Sequence, residues 1–198
     1  MRKIFVLEFI TLDGVIQAPG GSKEDTSEGF KYGGWTWPYF DKDTVLSQEM
    51  DKQMKGNYDL LLGHKTYDIF SGYWPQHTEE WPQVNKITKY VVSKTLEKPT
   101  WENTIVVKDI KELQELKNSD GPDIQVYGSS NLIQTLMEYD LVDEFWLKIF
   151  PITLGMGKRL FDKGTLPASF TLVESKISPS GVIVVNFKRA GGVKTGSF

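Results

Sequence analysis

Apolar positions along this chain switch repeatedly between the strand period of about 2 and the helical period of about 3.6. Two nearly unbroken apolar runs, Ile4 to Ile10 and "YDLLLG" from Tyr58 to Gly63, predict buried strands, since a strand covered on both faces needs few polar positions. Between them, Val45, Leu46, Met50 and Met54 recur at helical spacing and predict a helix over Asp43 to Lys55. A short helix from Lys65 to Phe70 follows the second run, and "KYVVS" and "TIVVK" read as two further strands. "IKELQELKN" is an amphipathic helix, "DIQVYG" a strand, Asn131 to Tyr139 a helix and "DEFWLKIFP" another strand. The end of the chain holds two β-rich runs joined by Ser178-Pro179-Ser180-Gly181, a hairpin signal. This alternation predicts an α/β fold: a mixed, mostly parallel sheet with helices on both faces and an antiparallel hairpin at its C-terminal end.

Thr11 to Phe40 stands apart as a long segment rich in Gly, Pro and Trp, and loops of that length are functional or disordered. Residues 1–190 read as a single domain, and 191–198 as a flexible tail without apolar periodicity. A length of 198 residues suffices for a proper core, and 39% hydrophobic with 25% charged residues is ordinary for a globular protein. The net charge of -3 gives no electrostatic reason to expect nucleic acid or an anionic membrane as partner. With no cysteine the chain has neither disulfides, thiolate metal sites nor a cysteine nucleophile, which fits a cytoplasmic location. The start, "MRKIFVLEFITLDG", lacks the clean apolar core of a signal peptide, and no stretch is long enough for a transmembrane helix.

In sheets of this kind ligands bind at the carboxyl ends of the strands. Three donor-rich turns are expected there: Thr11 to Gly14, Gly63 to Thr66, and Gly128 to Asn131. At the second, Gly63 permits close backbone approach, Thr66 can cap the next helix, and His64 and Lys65 add donors or charge. At the third, Gly128, Ser129, Ser130 and Asn131 join a strand to a helix; they are either a tight turn with an N-cap or a seat for an anion. Ser93 and Lys94 end a strand, facing either an adenosine phosphate or solvent. Taken together, the turns describe an extended, doubly phosphorylated ligand.

The stretches "LEFITLDGVIQAPGG", "YDLLLGHKTYDIFSGYWP", "KYVVSKTL" and "IQVYGSSNLIQTLMEYDLVDEFWLKIFPITLGMGKRLF" resemble the dihydrofolate reductase-like superfamily. Within it, they resemble small bacterial proteins related to the reductase domain of the riboflavin-biosynthesis deaminase-reductase. The resemblance runs from Lys3 to about Arg189 and implies a sheet of about eight strands that binds NADPH along its carboxyl edge. Gly63-His64-Lys65-Thr66 then corresponds to a Gly-Arg-x-Thr turn holding the pyrophosphate and 2'-phosphate, with Ser93-Lys94 beside the adenosine phosphate. Gly128-Ser129-Ser130 stands where the superfamily often carries consecutive glycines over the pyrophosphate. Thr11-Leu12-Asp13-Gly14 resembles the Ser-x-Asp-Gly stretch beside nicotinamide and substrate, which makes Thr11 a substrate contact and Asp13 a proton source.

Where dihydrofolate reductases carry a carboxylate facing the pterin, this chain reads "GGWTWPYFDKD", and Asp41 is loosely in register as a second acid or as a helix cap. Trp37 is one of several aromatic residues able to stack on a planar heterocycle; others are ordinary core. His64 and His77, the two histidines, have no supporting cluster, so no metal site is expected. Lys158 and Arg159 in "GMGKRLF" either contact phosphate or are solvated. Two classes of function remain: an NADPH-dependent reductase of a small heterocyclic substrate, as in riboflavin biosynthesis, or a non-catalytic nucleotide-binding protein that kept the fold. Phe145, Trp146 and Phe150 near an open sheet edge lead us to expect a homodimer.

Overall fold

The computed structural model describes residues 1–40, 43–162 and 165–197. The first apolar run becomes β1 (Ile4–Thr11), and the strand periodicities that follow become β2 (Tyr58–Gly63), β3 (Lys89–Val92), β4 (Thr104–Val107), β5 (Asp123–Val126) and β6 (Glu144–Phe150). The final hairpin is β7 (Phe170–Ile177) and β8 (Ile183–Arg189). Helices fill the intervals: a single turn α1 (Trp37–Phe40), then α2 (Thr44–Met54), α3 (His64–Tyr73), α4 (Ile110–Asn118) and α5 (Ser130–Glu138). All strands join one sheet in the order β4-β3-β2-β5-β1-β6-β8-β7. It is parallel from β4 through to β6 and antiparallel over β6-β8-β7. The mixed sheet expected from the alternation is the sheet observed.

The core forms on both faces because the strands bury alternate residues on each. Ile4, Val6 and Ile10 of β1 pack with Leu113 of α4 and Leu132, Ile133 and Leu136 of α5. On the other face Phe9 meets Leu46 of α2 and Phe150 of β6. Phe145 and Phe150, expected near an exposed edge, are instead core residues at 2% and 0% exposure, and Trp146 stacks on Phe5 with ring centroids 4.8 Å apart. They sit on β6, which pairs on both sides and is therefore not an edge. Of the two edge strands, β7 leaves Leu172, Val173 and Ile177 in solvent and β4 leaves Ile105.

Helix starts differ from expectation in an informative way. Asp43, not a residue before it, caps α2, accepting from the Leu46 N–H at 2.9 Å and the Ser180 hydroxyl at 2.6 Å. Burial alone would raise the Asp43 pKa, but these donors hold it down at about 2. The α3 helix begins at His64, so Thr66 lies inside its first turn and is not a cap. Ser129 occupies the N-cap position of α5 without a side-chain hydrogen bond to it.

One length mismatch shapes the function. β5 pairs with β1 only as far as Val126 opposite Val6, while β1 runs on to Thr11. Beyond that point β1 has no neighbour on its β5 side, and the sheet opens into a cleft at the carboxyl ends of the strands. Among the described residues no helix is long and apolar enough to cross a membrane.

Candidate active-site cleft

The cleft encloses about 950 Å³, within the range of small-molecule and cofactor sites. Its floor is Glu8 and Phe9 of β1, its walls Met50 and Met54 of α2 and Phe70 and Trp81, and its far end the turn from Tyr127 to Asn131. A second, more polar hollow of about 580 Å³ adjoins it, lined among others by Ser27, Gln134 and Arg159. Lys65, Ser130, Asn131 and Lys158 line both, so the two hollows meet at the first turn of α5. An apolar chamber leading to a cationic, donor-rich annex suits a ligand with a flat ring at one end and phosphate beyond it.

The two turns expected to bind phosphate pack against one another. The Gly63 N–H donates to the Gly128 carbonyl at 3.3 Å, and a Cβ at Gly63 would fall 2.2 Å from the Ser129 hydroxyl oxygen. A side chain at Gly63 would collide with Ser129. Gly128 differs: its φ is +82°, its peptide to Ser129 is cis, and a Cβ there would lie 3.1 Å from the Thr66 hydroxyl and 3.6 Å from Glu8 Oε1. No side-chain cap bond closes the first turn of α5 among the described residues, and Ser130 and Asn131 of that turn line both hollows, at the positive end of the helix dipole.

His64 sits one step away, with Nδ1 3.0 Å from the Ser93 hydroxyl and 3.3 Å from that of Thr95, and Nε2 3.6 Å from Asp68. Ser93 also accepts from the N–H groups of Thr95 and Leu96, so its hydroxyl is largely committed to its own turn. Lys94 is exposed and lines neither hollow. Trp37, 80% exposed, stands at the rim of the main cleft. Asp41 lies outside the described residues.

Thr11, the last residue of β1, and Asp13, in the turn that follows it, lie beside the cleft. Neither lines the cleft; Thr11 is buried, donating to Asp13 at 2.6 Å and accepting from the Val15 N–H at 2.9 Å. Asp13 further accepts from the N–H groups of Gly155 at 2.8 Å and Leu154 at 3.2 Å, with Arg159 at 3.7 Å. Burial works against its charge, but the Thr11 hydroxyl and the Gly155 and Leu154 N–H groups hold the pKa below its ordinary value. This carboxylate ties the turn after β1 to the loop that follows β6. The Lys158 ammonium reaches Asp25 at 2.7 Å and the Ser27 hydroxyl at 2.8 Å, so "GMGKRLF" is neither freely solvated nor a plain phosphate loop. It clasps the long segment after β1.

Sequence reasoning missed Glu8. It is 8% exposed on the cleft floor, and its Oε1 has no hydrogen-bond partner among the described residues. Burial pushes its pKa well above the usual carboxylate range; Lys148 opposes the shift and Glu24 adds to it. Lys148 of β6 lines the same cleft, donates to Gln53 Oε1, and is lowered by burial to about 7 against the pull of Glu8 and Glu49. The available signal was a charge inside each central strand, in "VLEFI" and "WLKIF". A central strand does not carry an ionisable residue without a reason.

Comparison with known proteins agrees with this geometry. The chain is 29% identical over 192 residues to the uncharacterised protein YyaP of Bacillus subtilis (strain 168), covering 93% of each. Among solved structures, a protein of Shewanella sp. PV-4 described as a riboflavin biosynthesis protein superposes with a TM-score of 0.65 at 20% identity, over 95% of this chain and 99% of that one. A dihydrofolate reductase of Enterococcus faecalis, whose structure holds NADP(H), superposes with a TM-score of 0.61 at 11% identity, over 94% and 96% of the two chains. These likenesses establish the dihydrofolate reductase-like fold. The RibD C-terminal domain model matches residues 2–184, nearly the whole chain, and the protein is therefore a member of the RibD C-terminal domain family.

Proposed function

We propose that this protein is an NADPH-dependent reductase of a small heterocyclic substrate. The observation that carries this reading is the uncapped first turn of α5, which opens between an apolar chamber and a hollow bordered by Lys65 and Lys158. The donor set fits the cofactor: Ser130, Asn131 and the backbone N–H groups suit a pyrophosphate, and Gly128 leaves room beside it that a Cβ would take. When bound, the reduced nicotinamide supplies hydride. Around it the chain's task is to hold two flat rings face to face and exclude water, with Phe9, Phe70 and Trp81 as apolar surface and Trp37 at the rim. Purified protein with NADPH and a panel of pterins and pyrimidines, followed by loss of dihydronicotinamide absorbance, tests the reading. Tight NADPH binding without oxidation across that panel would make it a nucleotide-binding protein instead.

Cofactor preference follows from charge. Lys65 and Lys94 flank the His64–Ser93 contact, and a 2'-phosphate placed there gains charge-assisted contacts. NADPH is expected to bind roughly tenfold or more tighter than NADH. Equal affinities in parallel titrations would remove this assignment.

The same reading includes a homodimer, now placed on β7. Leu172, Val173 and Ile177 are 51%, 60% and 75% exposed on an unpaired sheet edge, a surface that a second copy covers most simply. Light scattering at micromolar concentration should return twice the 22.6 kDa chain mass, and Ile177→Lys should shift it toward the monomer. A wild-type monomer under those conditions contradicts the dimer.

A further inference from the structure

We propose that Glu8 is the proton-donating residue of the cleft, and that its substrate carries a polarised C=N or C=O bond. This inference rests on the nicotinamide reading above and names the acid that reading lacks. Two facts of geometry carry it. Glu8 lies on the cleft floor beside Gly128, at the turn that separates the apolar chamber from the phosphate annex. Its Oε1 is buried with no partner among the described residues, so it is aimed at something the chain itself does not supply.

The surroundings suit a carboxyl group that keeps its proton. Lys148 approaches from β6, but its ammonium donates to Gln53 and not to Glu8. Glu24 faces Glu8 from the long segment after β1, Tyr127 from the end of β5, and the uncharged Thr66 hydroxyl from α3. Glu49 of α2 faces Lys148 in turn, and Lys65 and Lys158 lie further along the same cleft. Among the described residues no N–H group meets Glu8 Oε1, in contrast to Asp13, which receives two. Without such donors burial dominates and favours the neutral acid.

In the proposed step Glu8 gives its proton to the substrate nitrogen or oxygen, which takes up the π electrons of the double bond. The bonded carbon receives the hydride that the reduced cofactor supplies, leaving a CH–NH or CH–OH product. Glu8 remains as a carboxylate within the field of Lys148, and a solvent proton restores it.

The test compares NADP+ with NADPH by calorimetric titration from about pH 5.5 to about pH 8.5. The oxidised ring carries a positive charge that the reduced ring lacks, while the phosphates are the same, so the ratio of affinities cancels titration of the ligand phosphates. If Glu8 holds a proton beside the ring, binding of NADP+ expels it. The affinity ratio then moves in favour of NADP+ by roughly tenfold as pH rises through the range. In Glu8→Gln the ratio should be flat, with NADPH still bound. For any substrate the panel returns, kcat in Glu8→Gln should fall by about a hundredfold or more. Should that variant not fold, the wild type and Lys148→Gln decide together: titrations in buffers of different ionisation enthalpy should detect proton release with NADP+ and none with NADPH in both proteins. Release that disappears in Lys148→Gln overturns the role of Glu8, since Lys148 itself titrates at about 7. A flat ratio in the wild type, or a pH dependence that survives in Glu8→Gln, overturns the role of Glu8 while leaving the cofactor reading intact. Failure of both coenzymes to bind overturns both.

Discussion

Replacing Gly128 with valine is expected to weaken NADPH binding at least tenfold, equivalent to about 1.4 kcal/mol or more. Two effects act together. A side chain at φ +82° is strained in any context, and its Cβ would sit 3.1 Å from the Thr66 hydroxyl, on the ground where the ligand backbone is expected to pass. The strain lowers the stability of the apo protein as well, by about 1–2 kcal/mol, so affinity must be measured on the folded fraction. Ser130→Ala is the milder control, removing one hydroxyl at the start of α5 at a cost of about 0.5–1.5 kcal/mol in binding. If folded Gly128→Val binds NADPH as the wild type does, the stretch from Gly128 to Asn131 is a turn and nothing more.

Asp13→Ala is expected to be the most damaging change outside the cleft. It strips a carboxylate from the Thr11 hydroxyl, which is buried, from the half-buried Leu154 N–H and from the exposed Gly155 N–H. The expected loss is about 3 kcal/mol in denaturant melts. The pH dependence has a definite sign. Because the folded pKa lies below the unfolded one, the carboxylate stabilises the fold above the unfolded value, and that stability is lost as pH falls through the folded value. The gap between wild type and variant should therefore begin to narrow as pH falls below about 4. A variant as stable as the wild type at neutral pH would mean that the loop clasp is unimportant.

The fold was legible because its signals are local. Apolar runs over Ile4 to Ile10 and Tyr58 to Gly63, and the helical spacing of Leu132, Ile133 and Leu136, follow periods that short-range geometry imposes. The position of β5 between β1 and β2 comes from long-range pairing that no local period records. The same limit explains Phe145 and Phe150, whose surroundings depend on which strand covers β6. At the site, turn chemistry singled out Gly128 to Asn131, which line the cleft, yet it could not show that Gly63 packs against Ser129. The partners of Asp13, Leu154 and Gly155, lie more than a hundred residues away, beyond the reach of any local pattern. Glu8 was hidden in plain view within an apolar run, since only the end of β5 decides that this part of β1 meets a cleft instead of another strand.

The most direct test of the central claim is calorimetric titration of NADPH into the wild-type protein, with adenosine 2',5'-bisphosphate as competitor. The account predicts saturation at one site per chain with a Kd of about micromolar or tighter, competition by the bisphosphate, and loss of affinity in Gly128→Val. Absence of saturation at about millimolar NADPH, some thousandfold weaker, would contradict it.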